Sequence, residues 1–131
     1  MGAVGILFNE HGEVLLVEHV FHPKTPWGLP GGWVAKQENP AETVHRELFE
    51  ELSLEVEVGP IILVDMPLKN HVDLAYLCRT NDTVGKLSYE LTAFHWFDPK
   101  DLPKLLPFHQ SAIQKSLQMK QISDYKLWLQ H

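Results

Sequence analysis

Three closely spaced glutamates are the residues of this chain best suited to chemistry. Glu47, Glu50 and Glu51 lie three and four positions apart in the sequence. On a helix their carboxylates would share one face and repel one another, at a cost of roughly a few tenths of a kcal/mol per pair. Such hard oxygen ligands suit Mg²⁺ or Mn²⁺, and Mg²⁺ commonly bridges carboxylates to substrate phosphates. The cluster indicates a divalent-metal site, although a solvated charged face has the same local sequence.

The segment that carries these glutamates has strong helix signals. Asn39 suits the N-cap, Pro40 suits the first helical position, and Glu42 is placed to complete a capping box. Apolar residues recur at spacings of three and four and form a face that can bury against a sheet: Ala41, Val44, Leu48 and Leu52. We therefore predict a helix from about residue 40 to residue 52, with the acidic residues on its other face.

The first third of the chain predicts strands and an irregular loop. Residues 2–8 and 13–20 are rich in β-formers and are joined by Asn9-Glu10-His11-Gly12, which predicts a hairpin. Residues 21–33 contain three prolines and three glycines, so we expect a shaped loop there. Aromatic residues flank this loop at Phe21, Trp27 and Trp33. Core packing is the favoured prediction for each, with stacking on a nucleobase as the alternative.

The rest of the chain continues the α/β pattern. Residues 61–66, 71–79 and 92–97 are predicted strands, and the second alternates Val72, Leu74, Tyr76 and Cys78 on one side. Residues 98–103 predict a turn with a short helical segment, and residues 109–121 predict a terminal helix. The pattern predicts one α/β domain over residues 1–131.

Composition narrows the partners that we expect. The chain has 131 residues, of which 44% are hydrophobic and 21% charged, and its formal net charge is −6. A net negative charge argues against a broad surface for nucleic acid or anionic membranes. The single cysteine, Cys78, excludes an internal disulfide and is expected to be buried. Because the N-terminal residues carry no targeting pattern, we expect a cytoplasmic protein.

The spacing around the glutamates is more specific than the cluster itself. Gly32 is followed after five residues by Glu38, and after seven more by Arg46-Glu47-Leu48-Phe49-Glu50-Glu51-Leu52-Ser53-Leu54. This arrangement resembles the signature box of the Nudix (MutT-like) hydrolase family at every fixed position except one, since Ser53 stands where the family has glycine. The flanking segment 27–31, together with Glu90 and 96–97, also resembles the wider family pattern.

The resemblance implies a fold, an activity and roles for particular residues. The fold would be α/β, a Nudix-type α/β/α sandwich with a mixed β-sheet between helices. The activity would be divalent-metal-dependent hydrolysis of a pyrophosphate bond, with Mg²⁺ or Mn²⁺ as cofactor. The implied metal ligands are the Gly31 carbonyl and the carboxylates of Glu47, Glu50 and Glu51. Arg46 would orient the acidic residues, and Glu38 would close the loop before the helix. The general base stays open between Glu51 and Glu90.

The sequence leaves the substrate partly open. The tyrosine and proline that mark some family subclasses after the box are missing, since Lys69-Asn70-His71 falls there, which disfavours dinucleoside polyphosphates and typical ADP-ribose substrates. A nucleoside diphosphate linked to another moiety remains, with nucleoside triphosphates slightly favoured over nucleotide sugars. The rival classes are a catalytically inactive nucleotide-binding module and a prenyl diphosphate isomerase, which Cys78 does not suit. A small-molecule partner and a monomer or homodimer are expected.

One serine and two histidines near these motifs are weaker indicators of function. Ser53 is expected to strain the end of the helix by roughly 1 kcal/mol, because a left-handed residue with a Cβ is disfavoured. His19 and His22 lie beside the glycine-rich loop, and a structural role is favoured over metal ligation for both.

Overall fold

The part of the chain that the structure describes forms seven strands, two of which are long and pair with each other, and two main helices. The computed structural model describes residues 1–130. In chain order the elements are β1 (Gly2–Ile6), β2 (Val14–His19), β3 (Trp27–Gly28), β4 (Gly31–Trp33), α1 (Pro40–Leu52), β5 (Glu57–Leu68), β6 (His71–Arg79), β7 (Leu91–Phe97), α2 (Pro107–Met119) and α3 (Ser123–Gln130).

The strands form two sheets that lie between α1 and α2. The larger sheet has the order β4-β1-β6-β5 and is mixed, because β1 runs parallel to β6 while the other neighbours are antiparallel. The smaller sheet, β3-β2-β7, is antiparallel. One apolar cluster packs the sheets against α1 and a second packs them against α2. The expected α/β/α sandwich with a mixed sheet is confirmed.

Helix α1 forms where the sequence signals predict it. The Asn39 side chain accepts a hydrogen bond from the Glu42 N–H at 2.9 Å, and the Glu42 side chain accepts one from the Asn39 N–H at 3.3 Å. This capping box satisfies backbone donors that the first turn would otherwise leave unpaired. The apolar face is buried through Val44, Leu48 and Leu52. The helix is therefore fixed at its start and along one side.

The central strand β6 explains how both helices are held. Leu74, Tyr76 and Cys78 pack in the cluster with α1, whereas Ala75 and Leu77 pack in the cluster with α2. This confirms the alternation that the sequence predicts. Cys78 is buried as expected, and burial raises the pKa of its thiol to about 12.

The predicted N-terminal hairpin is wrong. β1 pairs with β4 and β6, while β2 pairs with β3 and β7, so the two strands belong to different sheets. Only an isolated bridge between Phe8 and Val14 joins their near ends. Because β1 has partners on both edges, no edge is left for β2. The turn at Asn9 forms, but it connects a strand of one sheet to a strand of the other.

Other boundaries differ more modestly from the expectations. The predicted loop 21–33 contains the short strands β3 and β4, and β5 extends beyond the predicted 61–66 at both ends. Helix α2 begins at Pro107 rather than residue 109, because proline is well suited to the first turn. Helix α3 was not predicted. No helix within residues 1–130 is both long and apolar enough to cross a membrane.

Candidate active site

The glycine-rich strand β4 brings backbone directly against the acidic face of α1. At Gly31, with φ of 152°, a Cβ would lie 2.2 Å from the Ala3 carbonyl oxygen, so no side chain fits. At Gly32 a Cβ would lie 2.7 Å from the carboxyl carbon of Glu47. Glycine is required at position 31, where a Cβ would meet the backbone of β1. At position 32 glycine leaves room for the Glu47 carboxyl group, which a larger residue would displace.

Glu51 is the buried end of the acidic cluster. Its side chain is 4% exposed, and one carboxylate oxygen accepts a hydrogen bond from the Gly31 N–H at 2.9 Å. Burial raises the pKa of Glu51 to about 8, and nearby Glu47, Glu90 and Glu50 add to the rise against the lowering effect of the Gly31 hydrogen bond. The protein thus buries a carboxyl group that gains strongly from a cation.

Arg46 lies at the centre of the box residues. Its guanidinium binds Glu38 through two parallel hydrogen bonds, Nε to Oε2 at 2.8 Å and Nη2 to Oε1 at 3.0 Å. Nη1 also donates to Glu47 at 2.9 Å and to Glu50 at 3.2 Å. Such bidentate, charge-assisted bonds fix direction as well as distance. One arginine therefore sets the orientation of three of the acidic residues.

Glu38 fastens the loop before α1 to the helix. Besides Arg46, its carboxylate accepts hydrogen bonds from the Thr43 hydroxyl at 2.6 Å and the Ala35 N–H at 3.2 Å. The hydrogen bonds from Arg46, and then that from Thr43, lower the pKa of Glu38 to about 2. These contacts hold the loop in one conformation, as a loop-closing residue would.

Glu90 reaches the same cleft from another part of the chain. It immediately precedes β7 and lines a cleft of about 520 Å³ together with Gly31, Glu47 and Glu51. Glu90 is also close enough to affect Glu47: burial raises the pKa of Glu47, the Arg46 guanidinium lowers it, and repulsion from Glu50 and Glu90 adds to the rise. The structure therefore brings both candidate bases to one cleft.

The donor chemistry of the cluster fits a hard divalent cation. Among the side chains that the structure describes, no three His, Cys, Asp or Glu residues converge closely enough to enclose an ion as they stand. Glu47 and Glu50 instead both face the Arg46 guanidinium. The carboxyl oxygens of the buried Glu51, beside the Gly31 backbone, are the kind of donors that Mg²⁺ accepts. The residues fit such an ion in type, and the expected ligand set stays a prediction.

Ser53 has a function at the helix end that its sequence position did not reveal. It adopts the left-handed conformation with φ of 56°, as expected for the residue that replaces the family glycine. Its hydroxyl donates to the Lys86 carbonyl at 2.9 Å, and the Gly85 N–H donates to the Leu52 carbonyl at 2.9 Å. A Cβ on Gly85 would lie 2.9 Å from the Ser53 Cβ. A glycine across the contact thus makes room for the serine.

The same contact connects α1 to the segment that leads to Glu90. The Ser88 N–H donates to the Glu51 carbonyl at 3.0 Å, so residues 85–88 run along the end of the helix. These bonds satisfy carbonyls that the last helical turn leaves unpaired. The two candidate bases are therefore positioned by one hydrogen-bonded junction.

Replacing Ser53 tests this junction. Ser53→Ala keeps the left-handed strain and loses the bond to Lys86, so we expect about 1 kcal/mol lower free energy of unfolding. Ser53→Gly loses the same bond but relieves strain of roughly 1 kcal/mol, so it should be close to the wild type. Urea denaturation measures both. A Ser53→Ala protein as stable as the wild type would show that the hydroxyl contributes nothing.

The remaining cleft wall contains residues that the sequence did not single out. His109 on α2 accepts a hydrogen bond from the Leu29 N–H through Nδ1 at 2.9 Å. Burial lowers the pKa of His109 to about 4, with Asp73 opposing and His19 adding to this effect. The neutral ring therefore carries its proton on Nε2. Because 80 residues separate the bonded pair, no local sequence signal could have indicated it.

The expectations for the three loop aromatics have mixed outcomes. Trp27 packs in the core, with its ring centroid 5.1 Å from that of Phe97, as favoured. Core packing is wrong for Phe21 and Trp33, which are 72% and 69% exposed. Both of these line the cleft, as do His19 and His22. Exposed aromatic surface at a cleft commonly serves ligand binding.

The pKa of Glu51 predicts how pH affects the metal-free protein. Its folded pKa of about 8 lies above the ordinary value of 4.5, so the folded state holds a proton that the unfolded chain releases. Stability is therefore lost as pH rises from about 4.5 to 8. Glu51→Gln removes this titration. In urea denaturation with EDTA, its stability relative to wild type should rise by about 3 kcal/mol from pH 5 to pH 8. A pH-independent difference would contradict this.

Comparisons with known proteins agree with the geometry. Residues 1–117 match the NUDIX domain, and the chain belongs to this family. Family members are pyrophosphohydrolases that act on small nucleotide derivatives and generally use divalent metals.

Individual relatives show the same relationship. The chain is 29% identical over 103 residues to a MutT-like protein of Streptomyces ambofaciens, an alignment that covers 78% of this chain and 66% of that protein. It is 26% identical over 113 residues to the human nucleoside diphosphate-linked moiety X motif 6 protein, covering 79% of this chain and 36% of the relative. A Streptococcus suis ADP-ribose pyrophosphatase is 26% identical with a TM-score of 0.75, over 93% of this chain and 90% of that one.

Proposed function

We propose that the protein is a divalent-metal-dependent hydrolase of a pyrophosphate bond in a nucleoside diphosphate linked to another moiety. The observation that carries this is the buried Glu51 carboxyl, 4% exposed and bonded to the Gly31 N–H, at the wall of a cleft shared with Glu47 and Glu90. A purely structural role for α1 does not explain this acid, because burying a carboxyl group beside other acids lowers the free energy of unfolding.

We assign metal binding and positioning to different residues of the site. Glu47, Glu50 and Glu51, with the Gly31 carbonyl, would hold Mg²⁺ or Mn²⁺. A bound cation of this kind neutralises phosphoryl oxygens and lowers the pKa of a bound water. Arg46 keeps Glu47 and Glu50 in place through its hydrogen bonds at 2.9 and 3.2 Å.

The reaction requires a group that accepts a proton from the attacking water. The water oxygen forms a bond to phosphorus, the bridging P–O bond breaks, and the bridging oxygen leaves with the departing phosphate. Either Glu51 or Glu90 can take the proton, because both line the cleft. Glu90 is exposed, whereas Glu51 is buried and also a proposed metal ligand.

The names of relatives support the substrate class. The human relative is named for a nucleoside diphosphate-linked moiety X, and the Streptococcus suis structure is an ADP-ribose pyrophosphatase. Both describe a nucleoside diphosphate joined to a further group. Nucleoside triphosphates and nucleotide sugars both belong to this class. We also propose a cytoplasmic location, consistent with a single buried cysteine.

Turnover of a nucleotide panel tests the activity. We expect nucleoside monophosphate release from a nucleoside triphosphate or diphosphate conjugate in Mg²⁺ or Mn²⁺, and none in EDTA. Glu51→Gln should lower kcat by about 100-fold or more. Glu10→Gln, an exposed acid outside the cleft, is the matched control and should leave kcat unchanged. Nucleotide binding without turnover by the wild type would instead identify an inactive binding module.

Glu90→Gln then assigns the general base. A loss of about 100-fold in kcat with unchanged Mn²⁺ affinity would assign the base to Glu90. Activity within about threefold of the wild type would assign it to Glu51.

A further inference from the structure

The cleft extends from the acidic cluster in two directions with different chemistry. We define the polar arm as Gly2, Trp33, His71 and Asp73, which line the cleft beside Glu47 and Glu51. The apolar arm is a cavity of about 410 Å³ whose apolar lining is Phe21, Pro23, Pro26, Trp27, Leu29 and Leu106, and Lys24 also lines it. His19, Phe21, His22, Leu29 and His109 line both spaces, so the cleft is continuous.

The polar arm is built across three neighbouring strands. Gly2 on β1 lies opposite Trp33 on β4 and opposite Asp73 on β6. A Cβ on Gly2 would lie 2.7 Å from the Asp73 Oδ1 atom, so the carboxylate leans over the glycine. Any side chain at position 2 would displace it. The lack of a side chain there allows Asp73 and Trp33 to form one surface.

His71 joins the acidic and aromatic parts of this surface. Its Nε2 atom lies 2.9 Å from Asp73 Oδ1 and donates the hydrogen bond, because a carboxylate only accepts. Its ring centroid lies 5.1 Å from that of Trp33, with the rings 67° apart. The side chains of His71 and Asp73 remain 23% and 24% exposed. The pair is therefore ordered and still accessible.

The groups left free define the chemistry of the ligand. The His71 ring bonds to Asp73 Oδ1, and none of the other described side chains donates to this carboxylate, so its second oxygen can accept from a ligand hydroxyl. The Trp33 ring is 69% exposed and offers an apolar surface beside this acceptor. An acceptor next to an exposed aromatic face suits a sugar ring, which has hydroxyl donors at its edge and C–H groups on its faces.

A terminal phosphate suits the polar arm poorly. No lysine or arginine of the described chain lines the cleft that contains this arm. A phosphate placed there would also meet the Asp73 carboxylate, and like charges in a partly dry cleft repel. The apolar arm is the better place for a flat nucleobase, since Phe21 and Trp27 line it.

We propose that Trp33, His71 and Asp73, arranged over Gly2, bind a hydroxyl-rich moiety attached to the nucleoside diphosphate, so that nucleotide sugars are preferred over nucleoside triphosphates. This inference rests on the proposed function. It reverses the slight preference for triphosphates that the sequence suggested. The specificity lies in a variable position of the signature box, Trp33 at the end of β4, and in residues outside the box on β1 and β6.

Matched substrate pairs test the proposal. Nucleoside monophosphate release is measured by chromatography for ATP against ADP-glucose and ADP-ribose, UTP against UDP-glucose, GTP against GDP-glucose, and CTP against CDP-choline. We expect higher kcat/KM for at least one sugar conjugate than for its triphosphate. Asp73→Ala and Trp33→Ala should each lower that preference about tenfold or more, mainly through KM of the conjugate. Trp33→Phe should retain most of it.

Control variants separate this effect from misfolding. Phe94→Ala, on β7 away from the cleft, should leave the preference unchanged. Thermal melting shows whether each variant is folded, and Trp33→Ala removes only an exposed side chain.

The outcomes distinguish the two proposals. Release from no nucleotide at all would overturn the proposed function. Release with triphosphates preferred, with CDP-choline preferred over every sugar conjugate, or with a preference that Asp73→Ala and Trp33→Ala leave intact, would overturn the sugar subsite alone.

Discussion

Burial of the Glu51 carboxyl beside other acids is the constraint on which the rest of the site depends. The Gly31 N–H supplies one hydrogen bond at 2.9 Å, which does not offset the cost of burial, since the pKa stays raised to about 8. Gly31 on β4 is needed to bring backbone this close, and the capped helix α1 with its buried apolar face is needed to hold the acid there. Arg46 balances the outer acids but contacts neither oxygen of Glu51 among its hydrogen bonds.

The fold meets this constraint by bringing distant segments to one helix. Strand β4 approaches one side of α1, the loop through Glu38 closes its start, and residues 85–88 run along its end. The last of these contacts places Glu90 in the cleft with Glu51. Ser53 shows how a change in a family pattern can be accommodated, because Gly85 across the contact provides the space that a Cβ requires.

Local signals in the sequence explain what could be predicted. The capping box, the apolar spacing of α1 and the alternation of β6 each depend on neighbours a few residues apart, and all three were correct. The hairpin prediction failed because pairing of β1 is decided by β4 and β6, which lie far along the chain. The contact of His109 with Leu29 and the placement of Trp33 and Asp73 on either side of Gly2 were not predicted, for the same reason. Cross-strand register and long-range contacts have no local signature in the sequence.

Binding of Mn²⁺ to the protein tests the central claim most directly, because it measures, without any substrate, how much Glu51 contributes to the affinity for a divalent cation. Electron paramagnetic resonance of free Mn²⁺ during titration gives affinity and stoichiometry for the wild type, Glu51→Gln and the surface control Glu10→Gln. The account predicts saturable binding by the wild type and the control, and affinity reduced about tenfold or more in Glu51→Gln. Equal affinity in wild type and Glu51→Gln would contradict it.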